Sequence, residues 1–236
     1  MKNSLKTFLV LLTVGLISCN GNINLGSGNI ITEKRNITER FDKINASSGV
    51  NVIITQGTPE EIVVETDDNV MQYVVTKVEN GTLIIKVKRN RTIISSIDVR
   101  VTMQNITGLK ASSGALIESE NTLRGTSIAI KSSSGSAIKT DIEYEDAICE
   151  TSSGSTMTVS GKALQLQTNS SSGSAIDASG LASNEIISKA SSGSETRVNP
   201  IVKLDAQASS GSTIEYVKMP KTLTKKESSG GSIELD

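Results

Sequence analysis

Residues 128–154 read IAIKSSSGSAIKTDIEYEDAICETSSG, and this stretch decides the fold. Two Ser-Ser-Gly triplets lie in it, ending at Gly135 and Gly154. Around each triplet, apolar and polar residues alternate: Ile128 and Ile130 precede Gly135, Ile138 follows it, and Ala147 and Cys149 precede Gly154. A period of two puts such side chains on one face of a strand. The triplet occurs eight times in the 236 residues, with its glycine at Gly49, Gly114, Gly135, Gly154, Gly173, Gly193, Gly211 and Gly230. From Gly114 onward the steps are 21, 19, 19, 20, 18 and 19 residues. Self-similarity at about 20 residues is the signature of a solenoid, in which each repeat buries its apolar face against its neighbours.

Aligned on the glycine, positions −7, −5 and −3 and then +3 and +5 carry the inward residues. They run, for example, Leu166, Thr168 and Ser170 before Gly173, with Ile176 and Ala178 after it. Each coil is therefore predicted to hold two short strands that stack in parallel at about 4.8 Å per coil. The glycine is expected at φ > 0, or where the chain passes close to the next coil. The flanking serines can hydrogen-bond the turn. Position +4 points outward and mixes acids with bases, which predicts pairs such as Glu118 with Lys139 and Arg197 with Asp177 or Glu215. The last coil departs from the pattern, with Lys225 and Glu227 at inward positions, Pro220 ahead of it and Gly231 where serine is usual. Inward charges protect a sheet edge, so this coil reads as a C-terminal cap.

Residues 36–55 already look like a coil, but residues 56–105 leave the repeat. Ile62-Val63-Val64-Glu65 and Ile97–Met103 read as strands, and Asp67-Asp68-Asn69 reads as a turn. Met71–Val78 is again apolar and β-branched, and Asn80-Gly81 ahead of Thr82-Leu83-Ile84-Ile85 signals a hairpin. Residues 36–105 thus form an irregular β-rich section that covers the N-terminal end, with the Ser-Ser-Gly coils at 106–236.

Beyond the first twenty residues the only aromatics are Phe41, Tyr73, Tyr144 and Tyr216, so the core must be built from small and aliphatic side chains in thin layers. There is no His, which removes Ser-His-Asp and Cys-His arrangements. Net charge is −1 with no basic block, which gives no sign of nucleic-acid binding. Residues 1–18 carry Lys2 and Lys6 and then the apolar run Phe8–Ile17, too short to span a bilayer and suited to a signal peptide. Leu16-Ile17-Ser18-Cys19 resembles the lipobox of bacterial lipoproteins. That resemblance implies cleavage before Cys19, acylation of Cys19, including by palmitate, and a membrane partner reached through the lipid anchor. Asn20 in place of Asp favours the outer membrane, with periplasmic and surface-exposed orientations both open. Residues 20–29 (NGNINLGSGN) read as a flexible tether, so residues 19–35 are assigned to the acylated Cys and tether and 36–236 to the β-helix domain.

Several segments together resemble the auto-transporter adhesin head domain, or GIN domain, family (DUF2807) of Bacteroidetes lipoproteins. They are Ile44-Asn45-Ala46-Ser47-Ser48-Gly49-Val50-Asn51-Val52, Gln56-Gly57, Gly81-Thr82-Leu83, the Ser-Gly-Ser coils, and Pro220 ahead of Ser229-Gly230-Gly231-Ser232-Ile233. The resemblance covers residues 40–235 and implies an all-β, right-handed parallel β-helix; it identifies no binding residues. Two groups are candidate chemical sites. Cys149 lies at an inward position, where a buried small residue is expected. Glu143, Glu145 and Asp146 gather with Tyr144 on what reads as an acidic, solvated loop. No catalytic, cofactor or metal site is assigned. The expected role is a non-catalytic adhesin-like or scaffold module with a protein or glycan partner, in an oligomeric state left open. A periplasmic accessory of envelope sensing or assembly is the alternative, and a carbohydrate-active enzyme ranks last.

Overall fold

The computed structural model describes residues 22–88 and 91–236, which form nineteen strands and one short helix. The chain enters through β1 (Asn22–Leu25) and β2 (Ile30–Lys34). Strands β3 (Lys43–Ser47) and β4 (Asn51–Gln56) flank Gly49 and make the first coil. The path then leaves the coil through β5 (Glu61–Asp67), helix α1 (Asp68–Met71), β6 (Val74–Glu79), β7 (Thr82–Val87), β8 (Arg91–Ile94) and β9 (Ile97–Met103). It returns as β10 (Gly108–Ser112) and β11 (Leu116–Ser119). The long strands β12 (Leu123–Ser133), β13 (Ala137–Ser152), β14 (Thr156–Ser170), β15 (Ala175–Ala190) and β16 (Glu195–Ser209) follow. The chain ends with β17 (Thr213–Tyr216), β18 (Thr222–Ser228) and β19 (Ser232–Leu235).

The result is a parallel β-helix with a β-rich N-terminal cap. Strand β3 lies between β7 and β10 and is parallel to both, and β4 lies likewise between β9 and β11. The excursion from β5 to β9 therefore covers the outer side of the first coil. It closes with antiparallel pairs, β6 on β7, β5 on β9 and β2 on β5. Asn80 and Gly81 both have positive φ (49° and 72°), as the expected two-residue hairpin requires. The expected turn at residues 67–69 is instead the start of α1, and the following strand begins at Val74 rather than Met71. Helix α1 drops Val70 and Met71 into the cap core beside Ile62, Val64, Leu83 and Ile85.

From Asn22 onward the chain is paired, contrary to the free tether expected over residues 20–29. Strand β1 lies parallel to β8, with Leu25 opposite Ile94. The link between β1 and β2 is clasped by polar groups of α1 and its cap. Asp67 accepts from Gly28 N at 2.6 Å and from Ser95 Oγ, Asp68 accepts from Ser27 Oγ at 2.6 Å, and Asn69 Nδ2 donates to Leu25 O at 2.8 Å. Polar residues that offer nothing to a core are held here by hydrogen bonds and strand pairing, so the ordered fold begins well before residue 36.

Each coil has three faces, not two. In β13, Ile138 and Thr140 point inward after the corner, then Ile142 and Tyr144, then Ala147, Cys149 and Thr151 before the next corner. Consecutive exposed pairs mark the bend ahead of the last face: Glu145-Asp146, Leu164-Gln165 and Asn184-Glu185. Two neighbouring outward residues reset the alternation, and the strand bends there without breaking. At the middle face, Gly161 (φ 108°) is set by space as well as conformation, because a Cβ there would lie 2.1 Å from Ile142 O.

The Ser-Ser-Gly corner is a two-residue turn of the I′ kind. Both the second serine and the glycine are left-handed: Ser172 has φ 56° and Gly173 has φ 66°, and the same pair recurs at every triplet. The first serine accepts across the turn, as in Ser194 N to Ser191 O at 3.3 Å. From Gly49 through Gly211, each corner glycine N–H then donates to the second serine of the next coil, for example Gly154 to Ser172 O and Gly173 to Ser192 O. The close-approach reading does not hold for most corners: a Cβ at Gly173 would meet nothing within 4 Å. Gly231 is where close approach applies, since its Cβ would lie 2.4 Å from the Ala208 carbonyl carbon.

Candidate functional site

At five of the eight corners the serine that stabilises the turn from inside is the one after the glycine; Val50, Ala115 and Gly231 take that place at the other three. Ser136, Ser155, Ser174, Ser194 and Ser212 are buried, and each Oγ accepts from the backbone N–H of the first triplet serine at 3.0–3.2 Å. Their hydroxyls also join a buried ladder, including Thr151 with Ser174 (2.9 Å), Ser170 with Ser194 (2.9 Å) and Thr168 with Ser188 (2.8 Å). Buried hydroxyls carry little penalty when paired in this way.

The first serine of the triplet does something different. It ends the face that precedes the corner and points outward, giving the column Ser47, Ser112, Ser133, Ser152, Ser171, Ser191, Ser209 and Ser228. None of these eight hydroxyls bonds to another described residue. Beside them runs a second outward column in strict register: Asn45, Lys110, Lys131, Glu150, Asn169, Lys189, Gln207 and Lys226. Together they line a shallow trough of about 790 Å³ from Lys110 to Ser228. Lys131 pairs with Glu150 at 2.7 Å, while Lys110, Lys189 and Lys226 form no ion pair with another described residue. The trough thus offers a row of free hydroxyls, one per coil, with an excess of positive charge alongside. Further out on the same face, the exposed Ile148 and Ile187 flank Gln167.

The structure places the other sequence candidates away from this trough. Cys19 and the signal peptide lie outside the described residues. The eight corner glycines all sit at the left-handed corner. Cys149 is fully buried, and burial together with the neighbouring Glu150 pushes its thiol up to about 12, so the thiolate a nucleophile needs is suppressed. Glu143, Tyr144, Glu145 and Asp146 lie on β13, not on a loop; the first three line one surface hollow of about 380 Å³ and Asp146 a separate one. Tyr144 points inward, fits against Gly125, and donates its hydroxyl to Ile106 O at 2.7 Å; burial pushes its phenol up to about 12. Glu143 pairs with Arg124 on the neighbouring coil. Among the described residues, no group of three or more His, Cys, Asp or Glu is placed to hold a metal.

In the +4 column, Arg197 pairs with Glu215 at 2.9 Å and also with Asp236, whereas Glu118 and Lys139 are register partners that do not form an ion pair with each other. The trough columns are hard to see in the sequence because the triplet serines also suit a turn, which accounts for them without a surface role. The available signal was that the first serine is invariant across coils although a turn of this kind does not demand serine there.

Comparison with known proteins places this geometry in a family. The family described as "Putative auto-transporter adhesin, head GIN domain" matches residues 40–220. No curated protein matches the chain. Among solved structures, the chain is similar to a putative adhesin from Bacteroides fragilis, with a TM-score of 0.84 at 17% identity over 90% of this chain and 100% of that one. It is also similar to a putative lipid binding protein from Parabacteroides distasonis (TM-score 0.75, 18% identity, 91% of this chain, 100% of that one). A putative adhesin from Parabacteroides merdae gives a TM-score of 0.72 at 18% identity over 91% and 99% of the two chains. At these identities the likeness concerns the fold, while the family match spans most of the sequence. The chain belongs to the auto-transporter adhesin head GIN domain family.

Proposed function

We propose that this protein is a lipid-anchored, non-catalytic binding module of the cell envelope that engages its partner along the serine–lysine trough. The observation that carries the reading is the register of two outward columns: a serine hydroxyl in every coil and, beside it, a column in which Lys110, Lys189 and Lys226 make no ion pair with another described residue. A surface that repeats at about 4.8 Å suits an extended partner, contacted weakly at many points. The reactive candidates, by contrast, are a buried thiol and outward carboxylates of which Glu143 is held in an ion pair with Arg124. Cys19 supplies the anchor in this reading, in the outer membrane, and the family assignment supports an envelope location.

The test uses the acylated protein on glycan and matrix-protein arrays, with a variant carrying Lys110→Ala, Lys189→Ala and Lys226→Ala. Binding that weakens in the variant supports the trough; binding that is unchanged removes it. A periplasmic accessory role is the competing placement, and protease shaving of intact cells separates the two. Digestion of the protein on intact cells supports a surface module, and protection supports the periplasmic role.

A further inference from the structure

The entry of the chain fixes which end of the solenoid meets the lipid. If Cys19 is acylated, as proposed above, its acyl chains hold that residue at the headgroups. Only Asn20 and Gly21 separate it from β1. Three Cα steps reach at most about 11 Å, so the place where β1 docks must stay within that distance of the bilayer surface.

That place is the capped end. β1 pairs with β8, and Asp67 binds Gly28 N on one side and Ser95 Oγ on the other. β2 is the outermost strand of its row, antiparallel to β5. This end exposes apolar side chains that nothing described covers. Leu25 is 64% exposed and its register partner Ile94 57%, and Ile30, at the start of β2, is 67% exposed. Exposed aliphatics also occur along the sides and at the far end, as at Leu164 and Met219, so exposure alone selects nothing. The short link to Cys19 does the selecting.

We infer that the N-terminal cap is a membrane-contact surface: Leu25, Ile30 and Ile94 rest on the lipid headgroup region, and the solenoid projects from the bilayer with its C-terminal coil outermost. The partner is a phospholipid surface, and the apolar contact adds a second attachment to the acyl anchor. In the row β2-β5-β9-β4-β11-β13-β14-β15-β16-β17-β19, eleven strands give ten spacings, so the distal strand stands about 48 Å beyond the first. This orientation rests on the lipid-anchor reading.

The experiment uses the acylated full-length protein in phosphatidylethanolamine–phosphatidylglycerol vesicles that carry a nitroxide lipid. Single cysteines for an environment-sensitive fluorophore are introduced by Leu25→Cys, Ile94→Cys, Met219→Cys and Leu235→Cys. Each is made in a Cys149→Ala background, since Ala206 shows that alanine fits the equivalent inward position. Labels at 25 and 94 should shift to the blue and lose fluorescence to the nitroxide, while those at 219 and 235 should do neither. If the protein floats with the vesicles but all four labels behave alike, the orientation is overturned and the anchor stands. If it does not float, the anchor reading falls and takes the orientation with it.

Discussion

The two ends of this solenoid are closed by different physics. At the N-terminal end a folded excursion lies over the first coil and buries aliphatic side chains, among them Ile62, Val64, Val70, Leu83 and Ile85. Among the described residues, no such cover lies over the C-terminal coil. Lys225 and Glu227 occupy inward positions, as the sequence pattern predicted, and turn onto the backbone of β19: Lys225 Nζ donates to Ile233 O at 2.7 Å, and Ile233 N donates to Glu227 at 2.7 Å. Lys225 also lies over the Tyr216 ring, 4.9 Å from its centre. One end removes apolar surface from water; the other satisfies polar groups that the stack would leave open. The first can organise folding of the whole rod, while the second only holds its last layer.

That contrast can be broken most decisively at the cap. Leu83 is fully buried, so Leu83→Ala should cost about 2–5 kcal/mol and lower the melting temperature of the whole protein. Leu235→Ala, at a half-exposed site on β19, should leave it nearly unchanged; equal shifts would abolish the distinction between the ends. At the other end, Glu227→Ala leaves the Ile233 N–H without its partner and should cost about 1–3 kcal/mol. The loss should be read by hydrogen exchange as fraying of β18 and β19 alone, because stacked repeats open locally.

The glycines sharpen the comparison further. Gly173→Ala meets open space and carries only the left-handed conformation, about 1–2 kcal/mol. Gly231→Ala meets the Ala208 carbonyl as well and should release the last coil, so the two variants differ in where exchange accelerates, not only in melting temperature. The smallest effect is at the N-terminal clasp. Hydrogen bonds from Ser27 and then Asn29 hold the Asp68 carboxyl below its usual range. A depressed acid stabilises above its unfolded pKa and loses that contribution as pH falls through the folded value. Acidification below about pH 4 should therefore speed exchange at Ser27 and Asn29, and Asp68→Asn should flatten that response.

The parts of the fold legible in the sequence are those set by local rules. Period-two alternation located the inward residues beside each corner, and Asn80-Gly81 located the hairpin. The third face was hidden because Glu145-Asp146, Leu164-Gln165 and Asn184-Glu185 interrupt the alternation, so Ile142, Tyr144 and Leu181 fall out of phase with the face that follows them. The left-handed second serine was hidden because serine has no preference for that conformation; the ladder of glycine N–H bonds enforces it. The N-terminal arm was hidden because its stabilising partners, Asp67, Asp68 and Asn69, lie about forty residues away. Of the candidate trough, the serines and lysines were visible individually, but their alignment depends on the register between coils.

The stacking bonds also have a mechanical meaning. They run along the axis of the rod, from each coil to the next, as the corner ladder does from Gly49 through Gly211. A rod held at its capped end and pulled at the other carries the tension through those bonds, layer after layer in series. The load enters at the distal strand, where the four register partners that join β19 to β17 can open one after another from the pulled end. Under load the distal strand should peel first and act as a fuse, sparing the coils behind it and leaving the trough intact.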